Sequence, residues 1–117
     1  MNLAQLTGQD ETALVNYDGH LLHSDVVTDW AALQRDAVQA GFDLAIASAY
    51  RSFSRQLLIW NEKANGVRPV FDDKGQLLSV EQMSETDVVF AILRWSALPG
   101  GSRHHWGTDI DVYDRSA

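Results

Sequence analysis

The clearest pattern along the chain is helical, because apolar residues recur every three or four positions in three separate stretches. Ser24 or Asp25 can cap the first helix, which we predict to run to about Ala40, with Gly41 as its C-terminal cap. Trp30 lies on the apolar face of this helix, so we expect its side chain in the core.

The other two helices follow serines that can cap their first turns. Ser52 or Ser54 predicts a helix that ends near Asn65-Gly66. Ser84, with an acidic residue three positions later, resembles a capping box and predicts a third helix that Pro99-Gly100 stops. The apolar face of this third helix comprises Val88, Val89, Ala91, Ile92, Trp95 and Leu98.

Two stretches have the pattern of β-strands. Phe42 to Ala49 is an apolar run short enough for a buried strand, and Thr108 to Tyr113 alternates apolar and polar residues. Val67 to Val80 predicts a loop or weak hairpin, which we expect to border a binding groove. The whole pattern predicts an α+β domain, with a small antiparallel sheet packed against about three helices. The predicted strands are too few to form a complete sheet. We therefore expect further strands beyond Ala117 in a longer parent chain.

Composition and charge mainly exclude certain partners, a membrane span and certain metal ligands. The 117 residues suit one domain, so we treat residues 1–117 as a single domain. The net charge of −7 argues against nucleic acid and anionic lipid as partners, and no apolar run approaches the ~20 residues of a membrane span. Met1–Glu11 lacks the basic and apolar regions of a signal peptide. Since the chain has no cysteine, any transition-metal site must use imidazole and carboxylate ligands.

Candidate chemistry is concentrated in residues 100–113. Gly100-Gly101 lets the backbone bend just before His104 and His105. Asp111 lies on the polar face of the predicted strand that follows. The loop therefore brings an imidazole, and the strand a carboxylate, to one place, as a metal site on a rigid element requires.

Two blocks of the sequence resemble one family. The residues from Ser102 to Asp111 resemble the S-x-H-x-x-G-x-x-x-D motif of the zinc D-alanyl-D-alanine carboxypeptidases and dipeptidases of the VanY/VanX type. The residues from Ser48 to Gln56 resemble that family's S-x-Y-R-S-x-x-x-Q segment, and the blocks stand in the family's order. The resemblance implies a fold like that of hedgehog and D-Ala-D-Ala peptidases, with zinc-dependent hydrolysis of peptidoglycan stem peptides.

The resemblance also implies a role for each matched residue. His104 and Asp111 would be two zinc ligands, and Arg51 would hold the substrate carbonyl or the developing oxyanion. Ser102 would help to bind the terminal residue of the peptide, and Gln56 would hydrogen-bond the substrate or the groups around it. In the resembled family, a downstream E-x-x-H or E-x-W-H segment supplies the third zinc ligand and the catalytic glutamate.

This sequence has no such downstream segment. Only six residues follow Asp111, and none of the four glutamates precedes a histidine at the required spacing. Three explanations stay open: the chain is a truncated piece of a longer enzyme, which we favour; it borrows His105 or His23 as a ligand; or it is a relative that does not catalyse alone. With two ligands, we expect the isolated chain to bind zinc weakly or to complete the shell with water, a buffer anion or a neighbouring chain.

Nearby residues have simpler interpretations. Adjacent residues point apart, so we expect His105 to form ordinary hydrogen bonds rather than to share an ion with His104. His20 and His23 are expected on the surface or at a helix cap, and Trp106 is expected to fix the loop by packing. Asp109 either orients a ligand histidine or pairs with a nearby arginine.

Three functions fit these patterns. The first is a zinc D-alanyl-D-alanine carboxypeptidase-like hydrolase with a peptidoglycan-derived peptide as its partner. The second is a binding relative that holds metal or cell-wall peptide without turnover. The third is an acidic globular domain that binds no metal. Zinc binding and release of D-alanine together distinguish the three.

Overall fold

The structure, a computed structural model, describes residues 1–117. Four α-helices and two two-stranded antiparallel sheets confirm the predicted α+β class. None of the helices combines the length and the apolar character needed to cross a membrane. The helices are α1 (Leu3–Leu6), α2 (Val27–Gln39), α3 (Phe53–Ala64) and α4 (Glu85–Trp95), and the strands are β1 (Leu14–Tyr17), β2 (His20–His23), β3 (Leu44–Ser48) and β4 (Asp111–Asp114). Three 3₁₀ helices cover Ser24–Val26, Val80–Gln82 and Arg103–Trp106.

The first sheet is a hairpin of β1 and β2 that the sequence pattern did not predict. Tyr17 pairs with His20 across a two-residue turn, Asp18-Gly19, in which both residues have positive φ (51° and 81°). Two positive φ values are those of a type I′ turn, whose twist matches that of the flanking strands. Asn16 supports the turn, because its Oδ1 accepts a hydrogen bond from Gly19 N–H.

The second sheet pairs β3 with β4 and contains a bulge. Ile46 pairs with Val112, but the next pair is Ser48 with Asp111, so β3 has one extra residue, Ala47. A bulge turns the residue that follows it, and here it places Ser48 opposite Asp111. The prediction of a strand from Thr108 to Tyr113 was wrong at its start. The strand begins only at Asp111, because Ile110 turns to pack on the core.

Two of the three predicted helix caps are confirmed, but neither Ser24 nor Asp25 caps α2: both lie in the preceding 3₁₀ helix, and α2 begins at Val27 without a side-chain cap. Ser52 Oγ accepts a hydrogen bond from Arg55 N–H at the start of α3, and Ser84 Oγ accepts one from Asp87 N–H at the start of α4. The His23 ring caps the first 3₁₀ helix by accepting a hydrogen bond from a backbone N–H, as expected of a capping histidine.

The predicted end of α4 was wrong. The helix stops at Trp95, because Ser96 is already extended (φ −137°, ψ 147°). Leu98 therefore lies outside the helix, next to Pro99, where the proline ring disfavours helical geometry for the residue before it.

Two separate clusters of buried apolar side chains form the core. The first cluster joins β2, α2 and β3, and comprises Leu22, Trp30, Ile46 and Ala49, which confirms the prediction for Trp30. The second cluster lies between α4 and the loop before it, and comprises Val70, Val80 and Ile92. The chemistry-bearing stretch lies on the first cluster, since Ala49 belongs to it and Ile110 packs against it.

The loop between α3 and α4 is the weak hairpin that the sequence predicted. Phe71 and Leu77 form a single antiparallel bridge, and Asp72 Oδ1 accepts hydrogen bonds from the backbone N–H groups of Lys74 and Gln76. These bonds close the turn within the loop itself.

Candidate functional site

His104 is held in one orientation by its neighbours. It lies in the 3₁₀ helix Arg103–Trp106, and Ser102 Oγ caps that helix by accepting a hydrogen bond from His104 N–H. The Nδ1 atom of His104 is 2.9 Å from the carbonyl oxygen of Ala49. Since a carbonyl can only accept, Nδ1 must carry the proton, which leaves Nε2 of the neutral ring with a free lone pair.

Asp111 faces that lone pair. Its Oδ2 atom lies 3.4 Å from His104 Nε2 and accepts a hydrogen bond of 2.5 Å from Ser48 Oγ. The bulge in β3 makes this second contact available, because without it Ser48 would not stand opposite Asp111. A serine thus orients the carboxylate, and a backbone carbonyl orients the imidazole.

This pair of atoms fits one shared divalent cation. Zinc–ligand bonds of about 2.0–2.1 Å at a tetrahedral angle place two ligand atoms about 3.4 Å apart. The measured separation of His104 Nε2 and Asp111 Oδ2 is 3.4 Å. A hydrogen bond to Ala49 on the far side of the ring is also the support that metal-binding histidines commonly receive.

Arg51 is joined to this pair through the backbone. Its N–H donates to the carbonyl oxygen of His104 (3.0 Å), so the strand-to-helix turn and the 3₁₀ helix are in direct contact. Its guanidinium donates to Gln56 Oε1 at 3.0 Å, and Gln56 Nε2 donates to the carbonyl oxygen of Ala97 at 2.7 Å. Gln56 is fully buried, so it fixes the guanidinium from behind.

Arg51 has no carboxylate partner within 4 Å, unlike Arg68, which pairs with Glu62 at 3.4 Å. Lys63, the other partly buried cation without a carboxylate partner, donates a hydrogen bond to Ser96 Oγ. Burial lowers the pKa of Lys63, and the positive charges of Arg68 and Arg51 lower it further. Arg51 therefore forms no salt bridge, and its charge is available to an anionic or carbonyl group.

His105 is not available as a metal ligand. It is 1% exposed, and both ring nitrogens are used. Nδ1–H donates to the carbonyl oxygen of Arg51 at 2.7 Å, and Nε2 accepts from Gly100 N–H at 3.1 Å. His23 uses its Nδ1 as a cap. No third histidine, cysteine, aspartate or glutamate joins the pair in a metal-binding group. The contacts of His105 therefore argue against it as the borrowed ligand, and a contribution from His23 stays a prediction.

Asp109, Trp106 and Ser102 each make a contact that holds the local structure. Asp109 Oδ2 lies 3.4 Å from Arg103 Nε. Of the two interpretations of Asp109, the structure therefore supports the pair with a nearby arginine. Trp106 Nε1 donates to the carbonyl oxygen of Leu6, as expected of a residue that fixes the loop. Ser102 is 4% exposed and caps the 3₁₀ helix, and its contact with a peptide stays a prediction.

The site is an open surface. The five surface cavities have volumes of about 380 to 580 Å³, and none is lined by His104, Asp111 or Arg51. The loop Val67–Val80 lines two of these cavities, and its expected place beside a substrate groove stays a prediction.

The two sequence blocks indicated residues that the structure brings together, but not the groups that orient them. His104, Asp111, Arg51 and Gln56 form one connected group, as the two blocks indicated. The orienting role of Ser48 was missed, although it opens the first block, because a bulge has no clear sequence signal.

Comparisons with known proteins identify the family of the chain and its fold. The family model described as VanY, D-alanyl-D-alanine carboxypeptidase, matches residues 19–117. An uncharacterized protein of Haemophilus influenzae is 44% identical over 98 residues, which cover 80% of this chain and 67% of that protein.

Two solved structures share the fold. One is a mutant of the vancomycin resistance D,D-pentapeptidase VanY from a VanB-type resistance cassette in complex with Zn(II), with a TM-score of 0.65 over 87% of this chain. The other is VanYB in complex with D-alanine-D-alanine, with a TM-score of 0.66 over 88% of this chain. Both are 21% identical to this chain, which spans about half of their length (52% and 51%). The match of the family model over most of the sequence shows that this chain belongs to the VanY family of D-alanyl-D-alanine carboxypeptidases.

Proposed function

We propose that residues 1–117 form a single zinc carboxypeptidase-like domain that acts on the D-alanyl-D-alanine end of peptidoglycan stem peptides. The observation that carries the proposal is the arrangement of His104 Nε2 and Asp111 Oδ2, 3.4 Å apart and both oriented from behind. Membership of the carboxypeptidase family supports the reaction class, and the relative solved with D-alanine-D-alanine supports the substrate class.

Each residue has a distinct part in this proposal. His104 and Asp111 would hold the zinc, which when bound activates a water molecule and polarises the scissile carbonyl. Arg51, held by Gln56, donates to the substrate carbonyl oxygen and stabilises its developing negative charge. Ser102 lies at the start of the 3₁₀ helix, where its hydroxyl can contact the terminal residue of the peptide.

Two protein ligands leave the shell incomplete, because catalytic zinc sites ordinarily use three. We therefore expect weak zinc binding by the isolated chain, with water, a buffer anion or a neighbouring chain in the remaining positions. A nanomolar affinity of the monomer would contradict this.

Zinc titration of the ¹⁵N-labelled chain, followed by NMR of the histidine side chains, tests the metal site. We expect Nε2 of His104 to respond to zinc, and His104→Ala and Asp111→Ala to abolish the response. His20→Ala is the matched control, since His20 forms no part of the site, and it should bind zinc as the wild type does. Equal zinc binding by His104→Ala would refute the assignment.

The incomplete shell favours one second candidate, a relative that binds cell-wall peptide without turnover. Titration with D-alanyl-D-alanine in the presence of zinc, with free D-alanine measured in parallel, separates the two. Release of D-alanine that depends on His104 supports the hydrolase. Peptide binding at Arg51 without release supports the binding relative.

A further inference from the structure

We propose that Gly8 is a positioning residue for the site, and that the segment around it, residues 2–10, acts as an N-terminal clamp on both motif blocks. The family model begins its match at residue 19, so the clamp lies outside the matched part of the chain. The zinc-binding part of the argument rests on the proposed function.

The carbonyl oxygen of Gly8 accepts two hydrogen bonds from the first block. Phe53 N–H donates at 3.0 Å, and the Tyr50 hydroxyl donates at 3.0 Å. Phe53 is the first residue of α3, whose N–H has no partner within the helix. Since Tyr50 and Phe53 lie on either side of Arg51, one carbonyl group fixes both ends of the turn that carries the arginine.

The α-carbon of Gly8 packs against the second block. A Cβ atom added at residue 8 would lie 2.5 Å from Nδ1 of His105 and 2.8 Å from the backbone nitrogen of Phe53. The same Nδ1 atom donates to the carbonyl oxygen of Arg51. A side chain at residue 8 would therefore displace the ring that joins Arg51 to the 3₁₀ helix.

A second contact fastens the clamp to the 3₁₀ helix. Trp106 Nε1 donates to the carbonyl oxygen of Leu6 at 3.1 Å. The clamp thus reaches the residues around Arg51 on one side and those around His104 on the other. It contacts both through backbone groups, so it positions the site and has no direct part in the chemistry.

The clamp depends on these contacts for its own order. Its helix α1 has four residues and no buried side chain, although Asn2 and Gln5 form a capping box. A helix of this length is not stable in water by itself. Because little apolar surface is buried there, a change in the clamp should alter the site while leaving the core folded.

Gly8→Ala tests the proposal, and Gly75→Ala is its matched control. Both glycines have φ of +77°, so alanine is strained equally at either position, but nothing lies within 4 Å of an added Cβ at Gly75. We expect Gly8→Ala to shift the His105 ring nitrogens and the Arg51 amide in NMR spectra of the metal-free protein. We also expect about tenfold weaker zinc binding, the usual size of such supporting effects. Gly75→Ala should change neither.

A second variant covers the case in which Gly8→Ala fails to fold. Trp106→Phe removes the hydrogen bond to Leu6 while keeping an aromatic ring, and it should shift the same nuclei in the same direction by a smaller amount. The proposal is wrong if a folded Gly8→Ala, or Trp106→Phe in its place, leaves the His104, His105 and Arg51 signals unchanged. If the wild type binds no zinc while these signals still move, the zinc assignment fails and the positioning role stands.

Discussion

The surroundings of His104 and the surroundings of α4 are held by different kinds of interaction. Around His104, hydrogen bonds join residues that are far apart in sequence, as from His104 to Ala49 and from His105 to Arg51. Around α4, the second apolar cluster holds the loop Val67–Val80, whose hydrogen bonds mostly join residues close in sequence. The difference indicates that the site depends on directional contacts, whereas the region of α4 depends mainly on burial.

Helix α3 connects the two regions. Gln56 in its middle bonds Arg51 and Ala97, and Lys63 in its last turn bonds Ser96. Because these contacts are few, damage to the second cluster should reach the site only weakly. The predictions below test this separation.

Leu22→Ala and Ile92→Ala should give the largest effects. Both side chains are fully buried, one in each cluster, so each variant should lose about 2–5 kcal/mol of unfolding free energy in urea. Leu22 lies in the same cluster as Ala49, whose carbonyl orients His104. Only Leu22→Ala should therefore shift the His104 ring signals. Equal shifts in both variants would show that the two regions are not separate.

The two adjacent histidines provide the next comparison. His105→Leu leaves the Arg51 carbonyl and the Gly100 N–H without partners, which should cost about 2–3 kcal/mol of unfolding free energy. His104→Leu removes one hydrogen bond, to Ala49, and should cost about 1 kcal/mol while abolishing zinc binding. Thermal unfolding and zinc titration of both variants measure the contrast. If His105→Leu lowers the unfolding free energy less than His104→Leu does, the expected contrast between the two histidines is wrong.

Two substitutions of Gln56 distinguish its hydrogen bond to Arg51 from its contribution to the stability of the fold. Gln56→Leu removes the bonds to Arg51 and Ala97 and should cost about 1–2 kcal/mol of unfolding free energy. Gln56→Glu can still accept from Arg51 but cannot donate to Ala97 when ionised. Peptide binding, measured by titration with D-alanyl-D-alanine, should therefore be weakened by the leucine variant and largely retained by the glutamate variant. Similar peptide affinities in the two would show that the contact with Arg51 does not matter.

Much of the architecture was predictable because its signals are local. Helical spacing gave α2, serine caps gave the starts of α3 and α4, and the apolar run before Ala49 gave β3. The hairpin β1–β2 is also local, and it was missed because its strands have only four residues each, although Asp18-Gly19 has the residues of a tight turn. Thr108–Ile110 was predicted wrongly for another reason: Ile110 packs on the core, and this contact is distant in sequence.

The candidate site likewise contains residues that the sequence indicates and supporting groups that it does not. The residues that we propose to bear the chemistry, such as His104 and Asp111, come from a contiguous motif. Their supports do not, because a carbonyl group such as that of Ala49 or Gly8 has no side-chain signature in the sequence. Backbone groups become visible as parts of a site only when the tertiary contacts are known.

Tyr50→Phe should give the smallest effect, and one that depends on pH. Burial raises the pKa of the Tyr50 hydroxyl, and the nearby carboxylate of Glu11 raises it further. The folded state therefore keeps this proton at a pH where the unfolded chain loses it. The stability that the hydroxyl contributes is fully present below the unfolded pKa of about 10 and is lost as the pH rises above it.

At pH 7 the phenylalanine variant lacks the bond to the Gly8 carbonyl and should be about 0.5–1.5 kcal/mol less stable than the wild type in urea. Above about pH 10 the difference should narrow and then reverse, because only the wild type gains free energy from ionising this tyrosine on unfolding. A difference that stays constant from pH 7 to about pH 11 would mean that Tyr50 is not held in its neutral form against Gly8. The difference at pH 7 reports the bond that fastens the clamp to the turn carrying Arg51, whereas the change above about pH 10 reports the burial of the hydroxyl beside Glu11.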